Sequence, residues 1–256
     1  MTNDELHNLL KQRGLIIDDE TILHNVNYSH LIYKFGKHYL NDNFTFKPGT
    51  TITNIYNLYI LNMNISAVLY KFISKFEHKL RVAVVEEISI FGALSYLDKS
   101  IYRADENLVN DMILKLSELE EKIRFELPNE KLINGKVPLW ILVDRLSIGT
   151  ISWFIKLTAI DKLVGKRLKI DVRNFNILQT VREFRNLIYH ANPLTKVITN
   201  THKNGNITHH YLRSLYMFIK NRPEYREEYK KIEKILSETS TEKIGFTSEE
   251  LLERLI

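Results

Sequence analysis

From Thr51 to Gly92 apolar residues recur at three- and four-residue intervals: Ile52, Ile55, Leu58, Tyr59, Leu61, Met63, Ile65, Val68, Leu69, Phe72, Ile73, Phe76, Leu80 and Val84. That spacing marks one face of a helix, whereas a strand repeats every second residue. Residues 51–92 therefore make the longest helical run of the chain. Within it Glu77 and Arg81 stand four apart with the acid first, the favourable orientation for an ion pair on a helix. Two readings stay open for that pair: a surface or interhelix salt bridge, or a polar anchor that positions a neighbouring helix carrying chemistry.

Shorter segments follow the same pattern. A helix from Leu6 to Lys11, with Asn3 or Asp4 as its N-cap, is stopped by Gly14. Residues 21–40 place Ile22, Leu23, Val26, Leu31, Ile32, Phe35 and Tyr39 at helical spacing. From Asp105 to Glu126, Leu108, Met112, Leu116, Leu119 and Ile123 share a face, and Glu118, Glu120, Glu121, Lys122 and Arg124 read as its solvated side. Asn134-Gly135 is a turn signal. The most apolar window, Leu139 to Ile160, is interrupted by Asp144, Arg145 and Lys156, so it reads as a buried helix pair and not a membrane span. Pro138 suits its first turn, with Trp140 and Val143 turned to the core. β-branched residues around Asn204-Gly205 predict a short hairpin near residues 197–211. Leu212 to Ile219 returns to helix, and the charged end carries a peripheral helix and a capping helix begun at Thr247-Ser248-Glu249-Glu250. Five prolines and nine glycines are few for 256 residues and favour long helices. The expected fold is all-α, in one compact unit. Its parts are an N-terminal helical segment (1–50) packed on the core, a main helical domain (51–220) and charged C-terminal helices (221–256).

There is no cysteine, which rules out disulfides, thiolate metal sites and cysteine nucleophiles. His202, His209 and His210 lack an accompanying carboxylate, so neither a metal nor another cofactor is expected. The start, Met1-Thr2-Asn3-Asp4-Glu5-Leu6-His7, has neither a basic nor an apolar leader region, which leads one to expect a cytoplasmic protein without a membrane partner. With 36 basic against 31 acidic residues, the formal charge of +5 is compatible with a polyanionic partner without requiring one.

Chemistry gathers at Val181-Arg182-Glu183-Phe184-Arg185-Asn186-Leu187-Ile188-Tyr189-His190. On a helical wheel Ile177, Val181, Phe184, Leu187 and Ile188 fall on one arc; Arg182, Arg185, Asn186, Tyr189 and His190 fall on the other. Pro193 biases Asn192 away from helical geometry, so the helix should end near His190–Ala191, with His190 at the negative end of its dipole. Arginine for an anion, histidine for a proton and asparagine for orientation suit a phosphodiester. Ordinary solvation of a polar helix face is the alternative. Just before this helix Lys156, Lys162, Lys166, Arg167, Lys169 and Arg173 make a basic stretch, either a track for a nucleic-acid backbone or again simple solvation.

The segment Arg185-Asn186-Leu187-Ile188-Tyr189-His190 resembles the Arg-Asn-x-x-x-His signature of HEPN domains. Other blocks resemble, in the same order, the Abi (abortive infection) family of bacterial phage-defence proteins, in particular members of AbiD and AbiF type. They are Arg13-Gly14-Leu15 with Asn25-Val26-Asn27-Tyr28, then Glu77-His78-Lys79-Leu80-Arg81 with Gly92-Ala93-Leu94-Ser95-Tyr96-Leu97, then Val137-Pro138-Leu139-Trp140 with Leu146-Ser147-Ile148-Gly149-Thr150. Ser29 stands where a second tyrosine is usual. Ala191-Asn192-Pro193-Leu194 departs from the commoner His-x-x-x-Leu-Trp-Asn pattern. The resemblance implies a HEPN-like helical bundle with extra N-terminal helices, a homodimer, and metal-independent endoribonuclease activity in abortive infection or a toxin–antitoxin pair. It further implies control by a structured noncoding RNA. Arg185 and His190 become the catalytic pair with Asn186 beside them. Arg182, Tyr189, Lys166, Arg167, Lys169 and Arg173 become contacts to the RNA, and Glu77 and Arg81 become structural support. Two other readings use the same helix: a non-catalytic protein that holds a cognate structured RNA, and an interaction protein in which Arg185 and His190 brace an interface.

Overall fold

The computed structural model describes residues 3–170, 176–194, 215, 218–239 and 244. All the regular structure in these residues is helical; β pairing is limited to isolated bridges. The helices are α1 (Asn3–Gln12), α2 (Thr21–Asn25), α3 (Ile52–Ser89), α4 (Glu106–Arg124), α5 (Leu139–Arg145), α6 (Ile148–Leu157), α7 (Asp161–Leu168), α8 (Asn176–Tyr189) and α9 (Arg226–Glu238). Among the described residues, no helix is long and apolar enough to cross a membrane. The expected hairpin, His202, His209, His210, Arg173 and the capping helix at Thr247 lie outside the described residues.

α3 is the 38-residue helix that the spacing predicts, about 57 Å long at 1.5 Å per residue. Its first turn is fixed by a reciprocal cap. The Thr51 hydroxyl accepts from Asn54 N–H (3.1 Å), and the Asn54 side chain accepts from Thr51 N–H (2.9 Å). Past its last turn the chain reverses at Gly92, whose φ of +106° suits a residue without a Cβ.

The described residues form two compact units, residues 1–72 with 184–256, and residues 73–183. In the first, Leu10, Leu31, Phe35, Ile52, Ile55 and Phe72 are buried, and Tyr225 meets the Phe72 ring edge-on at 4.7 Å. The Arg13-Gly14-Leu15 block has a structural task here. The Arg13 guanidinium donates twice to Phe44 O (2.7 and 3.1 Å), Phe46 N–H donates to Arg13 O (2.8 Å), and Gly14 takes φ +87°. Residues 21–40 are not one helix. After α2 the chain forms a π-helical segment, Ser29–Phe35, and then a 3-10 turn, Gly36–Tyr39. Three different pitches follow one another, so the apolar positions reach the core without a single period.

In the second unit, α4 to α7 pack with Phe76, Leu80, Val84 and Val181 into a core that includes Tyr96, Met112, Leu116, Leu142, Phe154 and Val164. Tyr96 is fully buried, and its hydroxyl donates to Val137 O (2.9 Å). The Tyr102 hydroxyl donates to Tyr96 O (2.7 Å), and burial pushes both phenols well above the ordinary tyrosine value. α5 and α6 are the predicted buried pair, and Ser147 caps α6 by accepting from Thr150 N–H (3.1 Å). Asn134 and Gly135 both take positive φ, 51° and 72°, between the paired Ile133 and Lys136, as a two-residue turn with two left-handed centres requires.

Two expectations fail in this unit. Trp140 is 43% exposed and not in the core; Leu139, Leu142 and Val143 fill the buried face of α5 instead, with Pro138 at its N-cap. Glu120 does not belong to the solvated side of α4. It is 1% exposed, accepts from Val137 N–H (3.1 Å) and pairs with the Lys136 ammonium (3.3 Å).

Candidate functional site

α8 forms where the apolar arc predicts it. Leu178, Val181 and Phe184 are buried, Leu187 and Ile188 are half-buried, and Arg182, Arg185, Asn186, Tyr189 and His190 are exposed. The helix ends as expected at Tyr189, and the way it ends fixes the backbone of His190. Ala191 takes the left-handed conformation (φ +46°), its N–H donates to Ile188 O (3.0 Å), and Asn192 N–H donates to Leu187 O (2.8 Å). This pair of bonds is a Schellman motif with alanine in the place glycine usually takes, and Pro193 then prevents the helix from continuing.

The cap is tied to the interior from two sides. Leu194 N–H donates to the Asn62 side-chain oxygen (2.7 Å), and the Asn62 amide donates to Asn192 O (3.5 Å); Asn62 is 6% exposed and Leu194 fully buried. On the other side the Lys34 ammonium donates to His190 O (3.2 Å), a cation on the last carbonyls of a helix. The His30 ring bonds the backbone of Ala191; burial first, then the neighbouring Lys34, holds His30 below the ordinary imidazole value. The His190 ring projects from this cap with the Tyr189 ring edge-on at 5.3 Å. Against Ala191 of the cap lies a cleft of about 520 Å³, also bordered by Asn25, Asn27, His30, Lys34 and Tyr59.

The remaining candidates occupy the second unit. Arg81 and Glu77 pair at 3.3 Å with most of both side chains covered, 18% and 12% exposed, and Arg81 also donates to Leu146 O (3.0 Å). The pair thus braces the α5–α6 corner. Arg182 lies over the same corner: a Cβ on Gly149 would meet its Cδ at 3.5 Å, and its guanidinium pairs with Glu183 (2.9 Å). Of the basic stretch, Lys166 and Lys169 are exposed, whereas Arg167 is engaged by Glu86 and by Glu87 (2.8 Å) of α3. A charge held by two carboxylates is a poor phosphate ligand, so Arg167 leaves the expected track.

The cleft residues His30, Lys34 and Tyr59, and the clamp Asn62, escape sequence reasoning. Only Asn25 and Asn27 carry a signal there, through the block Asn25-Val26-Asn27-Tyr28. Comparison with curated proteins and with solved structures finds no match. Comparison with protein families matches residues 21–196 to the family described as Abi-like protein, a span that runs from α2 through the cap of α8. The chain belongs to the Abi-like protein family, which associates it with abortive infection as a defence against phage.

Proposed function

We propose that the chain is a metal-independent endoribonuclease of phage defence, acting through abortive infection or as the toxin of a toxin–antitoxin pair. The 2′-hydroxyl attacks the adjacent phosphate, leaving a 2′,3′-cyclic phosphate and a 5′-hydroxyl. His190 moves the proton, and Arg185 stabilises the charge that develops on the phosphorane oxygens, the positive charge a metal would otherwise bring. The observation that carries this reading is the exposure of Arg185, Asn186, Tyr189 and His190 on one helix whose end is clamped by Asn62 and Lys34. Asn186, one turn before His190, orients the imidazole or the phosphate. Arg182, Lys166, Lys169 and Arg173 are the further candidates for contact with RNA.

Five residues of helix separate Arg185 from His190 by about 140° around the axis and about 7.5 Å along it. One phosphate is therefore met most readily by Arg185 of one helix and His190 of another. A two-fold pair of chains supplies both, and with them the second imidazole that acid and base catalysis calls for.

Expression of wild type, Arg185→Ala and His190→Ala in a bacterial host, at matched soluble yield, tests the proposal. Toxicity with new 5′-hydroxyl RNA ends in wild type alone is expected, and cleavage by purified protein should survive a chelator. Equal toxicity in all three would discard the α8 site; cleavage of a 2′-deoxy substrate would discard the mechanism. RNA binding that is steeply salt-dependent and unchanged by His190→Ala, without cleavage, would mark a holder of a structured RNA instead.

A further inference from the structure

The cleft beside the α8 cap has the wrong electrostatics for a phosphate and the right ones for a base. It opens at the C-terminal end of a helix, where the dipole is negative. The charge of Lys34, the cation on its border, is partly spent on His190 O (3.2 Å). The His30 ring, held below its ordinary value by burial and then by Lys34, is neutral at neutral pH. The other groups are the exposed carboxamide of Asn25, that of Asn27, whose oxygen accepts from His30 N–H (3.3 Å), and the half-buried ring of Tyr59. Carboxamides carry a donor and an acceptor side by side, the pattern that pairs with base edges. The Tyr59 ring is fixed by near-perpendicular contacts with Phe35 (5.4 Å) and His30 (5.8 Å), so a rigid aromatic surface borders the cleft. Ala191, on its border, directly follows His190 in the chain.

We infer that this cleft receives one nucleobase of the RNA, that of a nucleotide neighbouring the phosphate at His190, and that Asn25 and Tyr59 decide which base is accepted. The inference rests on the ribonuclease reading for the identity of the polymer, while the cleft's affinity for a base stands apart from cleavage.

The test uses the full chain and the four uncharged ribonucleosides, followed by saturation-transfer NMR, with ribose 5-phosphate as the sugar-phosphate control. One nucleoside should bind in preference to the others and to ribose 5-phosphate. Tyr59→Leu should weaken it about fivefold or more, the low end of what a base–aromatic stack contributes. Asn25→Ala, at an exposed position where folding is not at stake, should level the preference among the four and shift the base found at mapped cut sites. Absence of nucleoside binding, equal binding of ribose 5-phosphate, or binding unchanged in both variants would overturn the inference. The two proposals fail separately. A protein that cuts RNA but binds no nucleoside loses the base site alone, and one that binds a nucleoside selectively but cuts no RNA loses the nuclease alone.

Discussion

Replacing Asn62 with leucine should loosen the end of α8 without touching any exposed group. The Asn62 side chain sits 6% exposed in α3 and serves the segment that follows His190 with two bonds of unequal worth. The bond to Asn192 O, at 3.5 Å, is at the limit of useful length and contributes little. The bond from Leu194 N–H, at 2.7 Å, lies in the interior, because Leu194 is fully buried. Leucine has the branching of asparagine but no acceptor, and its greater bulk adds some overpacking at this buried position. The substitution therefore leaves a buried N–H unsatisfied, at a cost of about 1–3 kcal/mol. That corresponds to a fall in melting temperature of about 2–12 °C for a chain of this size.

Asn62→Asp keeps the acceptor oxygen for Leu194 but buries a carboxyl beside Asn192 O, so it should lose less at acid pH, where that carboxyl is protonated, than at neutral pH, where burying its charge costs stability. Circular dichroism melts of the three proteins, with hydrogen exchange read at the Leu194 amide, measure both effects. If the cap holds His190 in position, cleavage by Asn62→Leu should fall at temperatures where the protein is still folded. A melting temperature within a degree of wild type, with Leu194 still protected, would refute the clamp.

Three other substitutions probe neighbouring claims. Glu120→Ala strips the buried Val137 N–H of a charged acceptor and should cost about 2–3 kcal/mol, whereas Glu120→Gln retains an oxygen there and should cost about 1 kcal/mol; equal melting temperatures for the two would show that the bond carries little. Ala191→Gly relieves a left-handed alanine worth about 1–2 kcal/mol while adding freedom to the unfolded chain worth about 0.4–1 kcal/mol. Its melting temperature should therefore rise, and a fall would contradict the Schellman geometry. His30 is held below 6.5 in the folded chain, so the unfolded chain binds its proton first as pH drops. Its contribution is fully present above 6.5 and is lost as pH falls from there through the depressed folded value. His30→Gln should flatten melting temperature against pH in that window; an unchanged profile would assign the acid sensitivity to other groups.

The same physics decides what could be read from the residues and what could not. α3 and α8 were legible because a long three-and-four period leaves little choice of face. The polar set on α8 was legible for the same reason, since all five side chains belong to one helix and its C-cap. Where a residue's chemistry and its position on the wheel disagree, position wins. Glu120 follows Met112 and Leu116 at four-residue steps and so lies on the buried stripe of α4; its charge is tolerated there because Val137 N–H and Lys136 satisfy it. Trp140 is large and apolar, but it stands about 100° from Leu139 and off the arc of Leu139, Leu142 and Val143, so it faces outward.

What the residues could not disclose is whatever depends on partners distant in sequence. Asn62 meets Leu194 across 132 positions, and its place in α3 reads as one more polar residue on a long helix. His30 and Lys34 reach the end of α8 from a π-helical segment, whose wider turn breaks the period that would have placed them. The exposed face of α8 and the device that holds its end thus come from different kinds of information. The face follows from local periodicity, and the clamp from tertiary packing around a cap with alanine in a glycine's place. A cap tied by Asn62, Lys34 and His30 can hold a strained alanine that local propensity alone would reject. For that reason the strain at Ala191 and the bond at Asn62 should be coupled. In the double variant Asn62→Leu/Ala191→Gly, part of the loss from the first change should be recovered beyond simple addition, because glycine takes the left-handed cap without being forced. Strict additivity of the two changes would separate the clamp from the strain and leave the alanine unexplained.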